Sequence, residues 1–555
     1  MKNWFKSGSP WIWLSAATVS ISIIMVVGLI GLIAVRGLSM YWPSQIHQID
    51  IKTANGGTET LIGEVFDVEQ VTKERLIDAG VVIETDEHFI NRYLYKTGNR
   101  DVAAPDFRWV IENNIISESF PKEIVVFERK EWGNMYGLIV SVKENGKLIS
   151  EKNSSNSTAV WQAFNERFSR AKKLQEEITS IEKHEIGSIN YEMERLRLKQ
   201  KKLELAKAFD ARAKQEIENK KSLLDNLYKA QQSKLTDLYK QLKRDSVQVK
   251  IANGKIVDMP MGNVVRAFKP NAMNLLQKIG FYVNSIWLFV SEDPREANTE
   301  GGIFPAIFGT VMMVLIMSVI VTPFGIMAAV YLREYAKQGV VTRTIRIAVN
   351  NLAGVPSIVY GVFGLGFFVY FLGGNIDQLF FPESLPAPTF GTPGIMWASL
   401  TLAILTVPVV IVATEEGLSR VPISIRQGSL ALGATKWETL WKTVLPMASP
   451  AMMTGLILAV ARAAGEVAPL MLVGVVKLAP SLPLDGDFPY LHLDRKFMHL
   501  GFHIFDVGFQ SPNVEAARPL VYSTAFLLVC VIIVLNLTAI AIRNRLREKY
   551  KGLDH

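Results

Sequence analysis

Arg462 and Glu466 stand four residues apart in an otherwise apolar stretch of the chain. Ionisable side chains are costly in hydrocarbon and mark a pathway or a partner. On a helix that spacing places both on one face. Two chemistries fit. The pair can neutralise itself and pin two helices together, or Arg462 can offer its planar guanidinium to a passing oxyanion while Glu466 holds it in place. On the residues alone, self-neutralisation is the simpler of the two. Asn350, Asn351 and Ser357, in another apolar stretch, pose the same choice more weakly. No other chemistry is legible. There is no GxxxxGK[ST] phosphate loop, and Gly433-Ala434-Thr435-Lys436 lacks the first glycine and a preceding strand. The seven histidines show no HxxH or HExxH spacing, so no metal site is expected. No serine nucleophile elbow occurs. The one cysteine, Cys530, cannot form an internal disulfide. A chain of this kind is not expected to be an enzyme and carries no cofactor of its own; energised work would draw on another polypeptide.

The elements that position these residues follow from hydropathy. The 555 residues are 49% hydrophobic and 20% charged, with a mean hydropathy of +0.20. Such numbers fit a chain divided into very apolar and very polar regions. A span needs about 20 apolar residues to cross about 30 Å of hydrocarbon. Six stretches qualify: Trp11–Val35, Ile303–Tyr331, Ile347–Leu372, Ile395–Ala413, Met452–Val476 and Leu520–Ile542. The first is too long for a signal-peptide core and lacks a clear cleavage site, so it reads as a retained anchor. Pro305, Pro323 and Pro408 are expected to kink spans.

Basic residues orient the spans. Lys2 and Lys6 precede the first; Arg333, Lys337, Arg343 and Arg346 separate the second and third; Arg420, Arg426, Lys436 and Lys442 separate the fourth and fifth; Arg543, Arg545, Arg547, Lys549 and Lys551 follow the sixth. Gly373–Gly394, between the third and fourth, has neither Lys nor Arg. All basic clusters fall on one side if both termini are cytoplasmic. The net charge of +8 is then largely a cytoplasmic rim, and no nucleic-acid partner is needed to explain it.

Between the fourth and fifth spans the chain spends about thirty residues, 415–446, where a few would turn it round. Helix formers, a break at Gly433 and a closing Leu445-Pro446 make this segment a docking element for a partner on one side of the membrane.

Residues 41–295 form a polar, extracytoplasmic block. Short apolar or alternating runs at Val81–Ile83, Phe107–Ile111, Glu123–Phe127 and Leu138–Val142, with turn signals such as Asn145-Gly146, predict a small sheet over 60–155, with a return hairpin at 246–258. Between them, 159–244 has no proline, and Leu174, Ile178, Ile181, Ile189, Met193, Leu196, Leu203, Leu224, Leu227, Leu235, Leu238 and Leu242 recur at coiled-coil spacings. One straight helix of this length would reach about 130 Å. A hairpin turning near Phe209–Ala213 buries the seam internally. Lys269–Val290 reads as an amphipathic helix near the membrane surface.

The loop Gln427–Pro446 resembles the EAA loop of ABC importer permeases. Gln427, Gly428 and Ser429 stand where that pattern has Glu-Ala-Ala, Thr443 takes an apolar position, and Gly433 and Leu445-Pro446 remain in place. Gly301–Thr310, Asn351–Gly361 and Arg462–Leu470 resemble phosphate importer permeases, the last being similar to the PstA type more than to its PstC sister. The resemblance covers roughly 1–40 and 296–548.

It implies an all-α polytopic membrane protein with six transmembrane helices, of the ABC importer permease type, carrying an inserted α+β domain with a long coiled coil. It implies an ATP-driven phosphate importer in a bacterial inner membrane, with the insertion in the periplasm. The implied partners are a PstC-like sister permease, a PstB-like ATPase dimer that binds the ATP, and a PstS-like phosphate-binding protein, alongside membrane lipid. Arg462, Glu466, Asn351 and Ser357 would line the pathway; Ile423, Gln427, Gly428, Ser429, Gly433, Leu445 and Pro446 would couple to the ATPase. Another oxyanion such as sulfate or molybdate, and a membrane-anchored coiled-coil scaffold without transport, stay open as alternatives.

Overall fold

A computed structural model of the chain describes residues 9–53, 56–78, 87–103, 105–151, 157–511 and 514–550. Val81–Ile83, Lys2, Lys6 and Lys551 lie outside the described residues. The chain divides into two units, residues 1–40 with 289–555 and residues 41–288.

In the first unit, six described helices are long and apolar enough to cross a membrane: Pro10–Ser39, Phe304–Tyr335, Ser357–Phe380, Ile395–Arg420, Lys436–Gly465 and Ala517–Arg545. They coincide with the six expected stretches, with two corrections. The third span begins at Ser357, not Ile347. Val340–Leu352 is a separate helix, and Pro356 takes the position before Ser357. Proline disfavours helical backbone in the residue before it, which ends the first helix early. The fifth span runs from Lys436 to Gly465 and stops before Glu466, whose backbone is extended at φ −78 and ψ 132. Leu445-Pro446 therefore does not terminate an element. It lies inside the helix, just after a π-helical turn at Leu440–Val444, where a widened turn absorbs the hydrogen bond that Pro446 cannot donate. Pro305 occupies the first turn of its helix, where a missing N–H leaves nothing unsatisfied.

The fourth span is the axis of this unit. Its Leu402, Ala403, Leu405 and Val410 pack with Met313, Met317 and Val321 of the second span and Ala459 and Ala463 of the fifth. Small residues set the approach of the fourth and fifth spans. A Cβ on Gly455 would lie 2.5 Å from that of Ala413, and one on Gly417 would lie 2.6 Å from that of Ala451. Close backbone contact of this kind is how helices associate where apolar side chains gain nothing by leaving lipid. The first span meets the sixth where the Ser523 hydroxyl donates to the Gly37 carbonyl at 2.6 Å.

The second unit holds two antiparallel sheets. The strands are β1 (Ile46–Lys52), β2 (Thr58–Thr72), β3 (Phe89–Lys96), β4 (Phe107–Ile111), β5 (Ile115–Ser119), β6 (Val125–Arg129), β7 (Met135–Glu144), β8 (Lys147–Glu151), β9 (Asp245–Lys250), β10 (Ile256–Pro260) and β11 (Val264–Phe268). The first sheet has the order β4-β3-β2-β1-β5; the second has β10-β9-β7-β6-β11, with β8 also on β7. Strands thus begin before residue 60 and continue past 258, because β1 and β11 read too weakly alone and are stabilised by their neighbours.

Between β8 and β9 the chain forms helices Ser157–Ser180, Gly187–Leu205 and Ala211–Leu242. It reverses at 206–210, where Asp210 caps the returning helix by accepting from the Ala213 N–H at 2.8 Å. Phe164, Ala171 and Ile178 of the outgoing arm and Leu235, Leu238 and Leu242 of the returning arm share a core with Phe127, Val142, Val247 and Val249 of the second sheet. Further from the sheet the burial fades. Gly187–Leu205 has no buried residue, and ion pairs such as Lys199–Glu216 at 3.4 Å link the arms there.

Candidate functional site

Arg462 lies in the last turn of the fifth span, and Glu466 is the residue that ends it. The two are not on one helical face as their spacing implies. The chain leaves the helix at Glu466 and still brings its carboxylate to 3.5 Å from Arg462 Nε. The contact is an ion pair on the stem side of the guanidinium, without a hydrogen bond. Among the described residues its two terminal nitrogens have no hydrogen-bond partner, and its side chain is 35% exposed. A planar cation whose terminal nitrogens are open can receive two oxygens of one anion.

The third span reaches this place through Tyr360. That residue is buried with Ala459, Val460, Ala463 and Ala464 of the fifth span. It lies within electrostatic reach of Arg462, and its hydroxyl donates to the Leu352 carbonyl at 2.7 Å. One turn of backbone at Gly361 fits because a Cβ there would come within 2.7 Å of Pro469 Cα. Asn351 is exposed and closes the Val340–Leu352 helix, its carbonyl accepting from the Gly354 N–H at 3.0 Å. Ser357 is half-buried and opens the third span. The two were expected within one continuous span and instead flank the break before it. Within the third span, Tyr360 lies within electrostatic reach of Arg462. No spacing rule singles out an apolar-flanked tyrosine, so the sequence reading missed it.

The loop between the fourth and fifth spans is ordered. Ile423 begins a helix that runs to Ala431 with no buried residue. Gln427 and Gly428 are exposed, and Ser429 is tied to Thr439 by a 2.9 Å bond between hydroxyls. Gly433 sits at φ +87 in open space and reverses the chain, a conformation in which a side chain clashes with its own backbone. Thr435 then caps the fifth span in a capping box with Glu438: its hydroxyl accepts from the Glu438 N–H at 3.2 Å, and the Glu438 carboxylate accepts from the Thr435 N–H at 2.9 Å. Leu445 and Pro446 are half-buried in that helix. Of the seven loop residues, the first five form one exposed turn-and-helix; Leu445 and Pro446 belong to the span that carries it.

Beyond the fifth span, the chain between it and the sixth carries a buried polar cluster. Asp506 pairs with Lys477 at 3.1 Å, and Asn298 donates to the Lys477 carbonyl at 2.7 Å. His499 and His503 are fully buried nearby in sequence. Burial lowers the His499 pKa to about 3. Burial likewise lowers His503 to about 4, against the opposing pull of Asp506.

Residues 321–552 match the family of the binding-protein-dependent transport system inner membrane component. The phosphate transport system permease protein PstA 1 of Mycobacterium tuberculosis is 34% identical over 44% of this chain and 71% of its own length. The chain belongs to this permease family. Both the Arg462 site and the 415–446 loop lie inside the matched residues; the unit 41–288 lies outside them. Within the ABC permeases it is similar to PstA of Yersinia pestis, 32% identical over 46% of this chain and 77% of that relative. It is also similar to PstC of Xylella fastidiosa, 33% identical over 38% of this chain and 66% of that relative. The PstA-like character read from Arg462–Leu470 is borne out.

Proposed function

We propose that the chain forms half of the transmembrane pathway of an ATP-driven importer of inorganic phosphate. The observation that carries this reading is the Arg462 guanidinium, paired with Glu466 at 3.5 Å on its Nε side with its terminal nitrogens open, in a chain related to phosphate permeases. An oxyanion leaving water needs donors that replace its hydration, and those donors must release it again. One arginine tempered by one glutamate meets both needs. Asn351 and Ser357 flank the break before the third span and would meet the anion at that end of the route.

The exposed 423–433 segment is the surface for a separate ATPase. The basic clusters support a membrane orientation with that segment and both termini inside the cell and residues 41–288 outside. A sister permease completes the pathway, two ATPase copies drive it, and an extracytoplasmic binding protein delivers the anion. ATP-driven closure of the ATPase pair then switches the bundle between outward-open and inward-open states.

A guanidinium fork binds phosphate and sulfate alike, so the cargo is decided by competition. Cells depending on this chain take up labelled phosphate, and unlabelled phosphate suppresses that uptake far more than sulfate or molybdate does. Uptake suppressed equally by sulfate would remove phosphate as the specific cargo, and absence of an ATPase from the purified complex would remove the importer reading itself.

A further inference from the structure

The helix Ile423–Ala431 has no buried residue, so apolar packing does not fix it to the rest of its unit. Its hold is polar: Ser429 meets Thr439 of the fifth span at 2.9 Å, and the charged contacts reach the ends of the second and fourth spans. Arg426 Nη1 contacts the Glu334 carboxylate at 2.5 Å, and Nη2 donates to the Leu418 carbonyl at 2.5 Å. On the far side of the Gly433 reversal, Lys436 donates to the Glu334 carbonyl and lies over the Tyr335 ring at 4.6 Å.

Glu334 belongs to the π-helical turn Tyr331–Tyr335 that ends the second span. A π turn leaves carbonyls without their ordinary helical partners. Cations take them here, as they do at helix C-termini generally. From the other side Arg346 donates to the Leu332 carbonyl at 3.1 Å and to Glu415 of the fourth span at 3.1 Å. The Tyr331–Tyr335 turn is therefore gripped by the loop on one side and by the Val340–Leu352 helix on the other.

The contacts differ in stiffness. Lys436 is exposed and contacts Glu334 only through its main chain. In the Arg426–Glu334 pair the side chains are 20% and 10% exposed. A largely desolvated, charge-assisted contact is short and resists displacement, because breaking it strands a charge away from water.

We propose that the Arg426–Glu334 pair is the strut that carries movement of the 423–431 helix into the second span. This rests on the reading of that helix as the ATPase docking element and goes beyond it by naming the route into the bundle. Both residues are positioning residues. They touch neither cargo nor nucleotide, and their effect appears in how much transport each hydrolysis event yields. Without the pair the docking helix moves while the second span stays behind.

The test uses the complete complex of this chain with its sister permease and ATPase, reconstituted in vesicles, with labelled phosphate uptake and ATP hydrolysis measured together. Glu334→Gln keeps the ATPase bound and hydrolysing near the wild-type rate, while phosphate moved per ATP falls at least about five-fold, the lower end of ordinary coupling energies, and Arg426→Gln lowers that ratio likewise. The exchanged pair, Arg426→Glu with Glu334→Arg, recovers most of the ratio. An unchanged ratio in either single variant overturns the strut. So does loss of ATPase binding in step with loss of uptake, because the pair then merely shapes the docking surface. A wild-type complex that holds no ATPase removes the underlying importer reading, and the strut with it; a wild-type complex that holds its ATPase, together with variants whose ratio is unchanged, removes the strut alone.

Discussion

Arg462 can act on an anion only if its charge and its fork both matter. Replacing it with glutamine removes the charge and keeps most of the volume. We expect Arg462→Gln to lower phosphate uptake about ten-fold or more, the equivalent of about 1.4 kcal/mol, without loss of the assembled complex. Arg462→Lys restores charge but not the planar fork and recovers only part of the rate. Wild-type uptake by the glutamine variant returns Arg462 to the role of a helix pin. Glu466 extends the argument. Its carboxylate pairs with Arg462 at 3.5 Å, so Glu466→Gln leaves a stronger, less tempered cation. Uptake then slows through tighter retention, seen as a lower KM together with a lower maximal rate.

At the scale of elements, Gly433 decides how the exposed helix meets the span that follows. Its φ of +87 excludes side chains with branched Cβ atoms at low cost. Gly433→Val costs about 1–2 kcal/mol locally and redirects Ile423–Ala431. The measurable outcome is a chain that reaches the membrane normally but brings down far less ATPase on purification; full recovery of the ATPase would contradict it.

The chain between the fifth and sixth spans carries its own signature. His499 and His503 are buried with pKa values of about 3 and about 4, below the ordinary 6.5. A histidine depressed in the folded state contributes stability that is present above its unfolded pKa and lost as pH falls towards the folded value. Acidification from about pH 7.5 to about pH 5 should remove about 2 kcal/mol per histidine, read as a falling thermal midpoint in detergent. His503→Asn should flatten that slope by about half; an unaltered slope would show that other groups set it.

For the whole molecule, orientation is the property that joins the two candidate regions. If residues 423–433 face the cell interior, the docking surface and the strut lie on the ATPase side. Cys530 is the single cysteine, so a Cys530→Ser background makes a clean test. Leu430→Cys, at an exposed position, should react with a membrane-impermeant maleimide only after spheroplasts are broken. Labelling in intact spheroplasts would invert the topology and defeat the coupling argument. The two-unit division adds a separate expectation. Gly187–Leu205 has no fully buried residue and Leu196 is only half-buried, so Leu196→Ala should change the thermal midpoint little. Phe164→Ala, beneath the second sheet, should cost about 3–5 kcal/mol.

Six spans were legible because about twenty consecutive apolar residues is a property of the chain itself, and hydrocarbon demands it wherever those residues end up. The loop at 415–446 and its break at Gly433 were legible for a similar local reason, since one glycine at φ +87 determines a turn. The end of the fifth span before Glu466, the break ahead of Ser357, the approach of Tyr360 to Arg462 and the Arg426–Glu334 contact were not. Each depends on which helices become neighbours. Arg426 and Glu334 lie ninety-two positions apart in sequence, and nothing in either stretch names the other. Packing of the second, fourth and fifth spans brings them within reach, and only the desolvation that packing imposes turns two ordinary charges into a stiff contact.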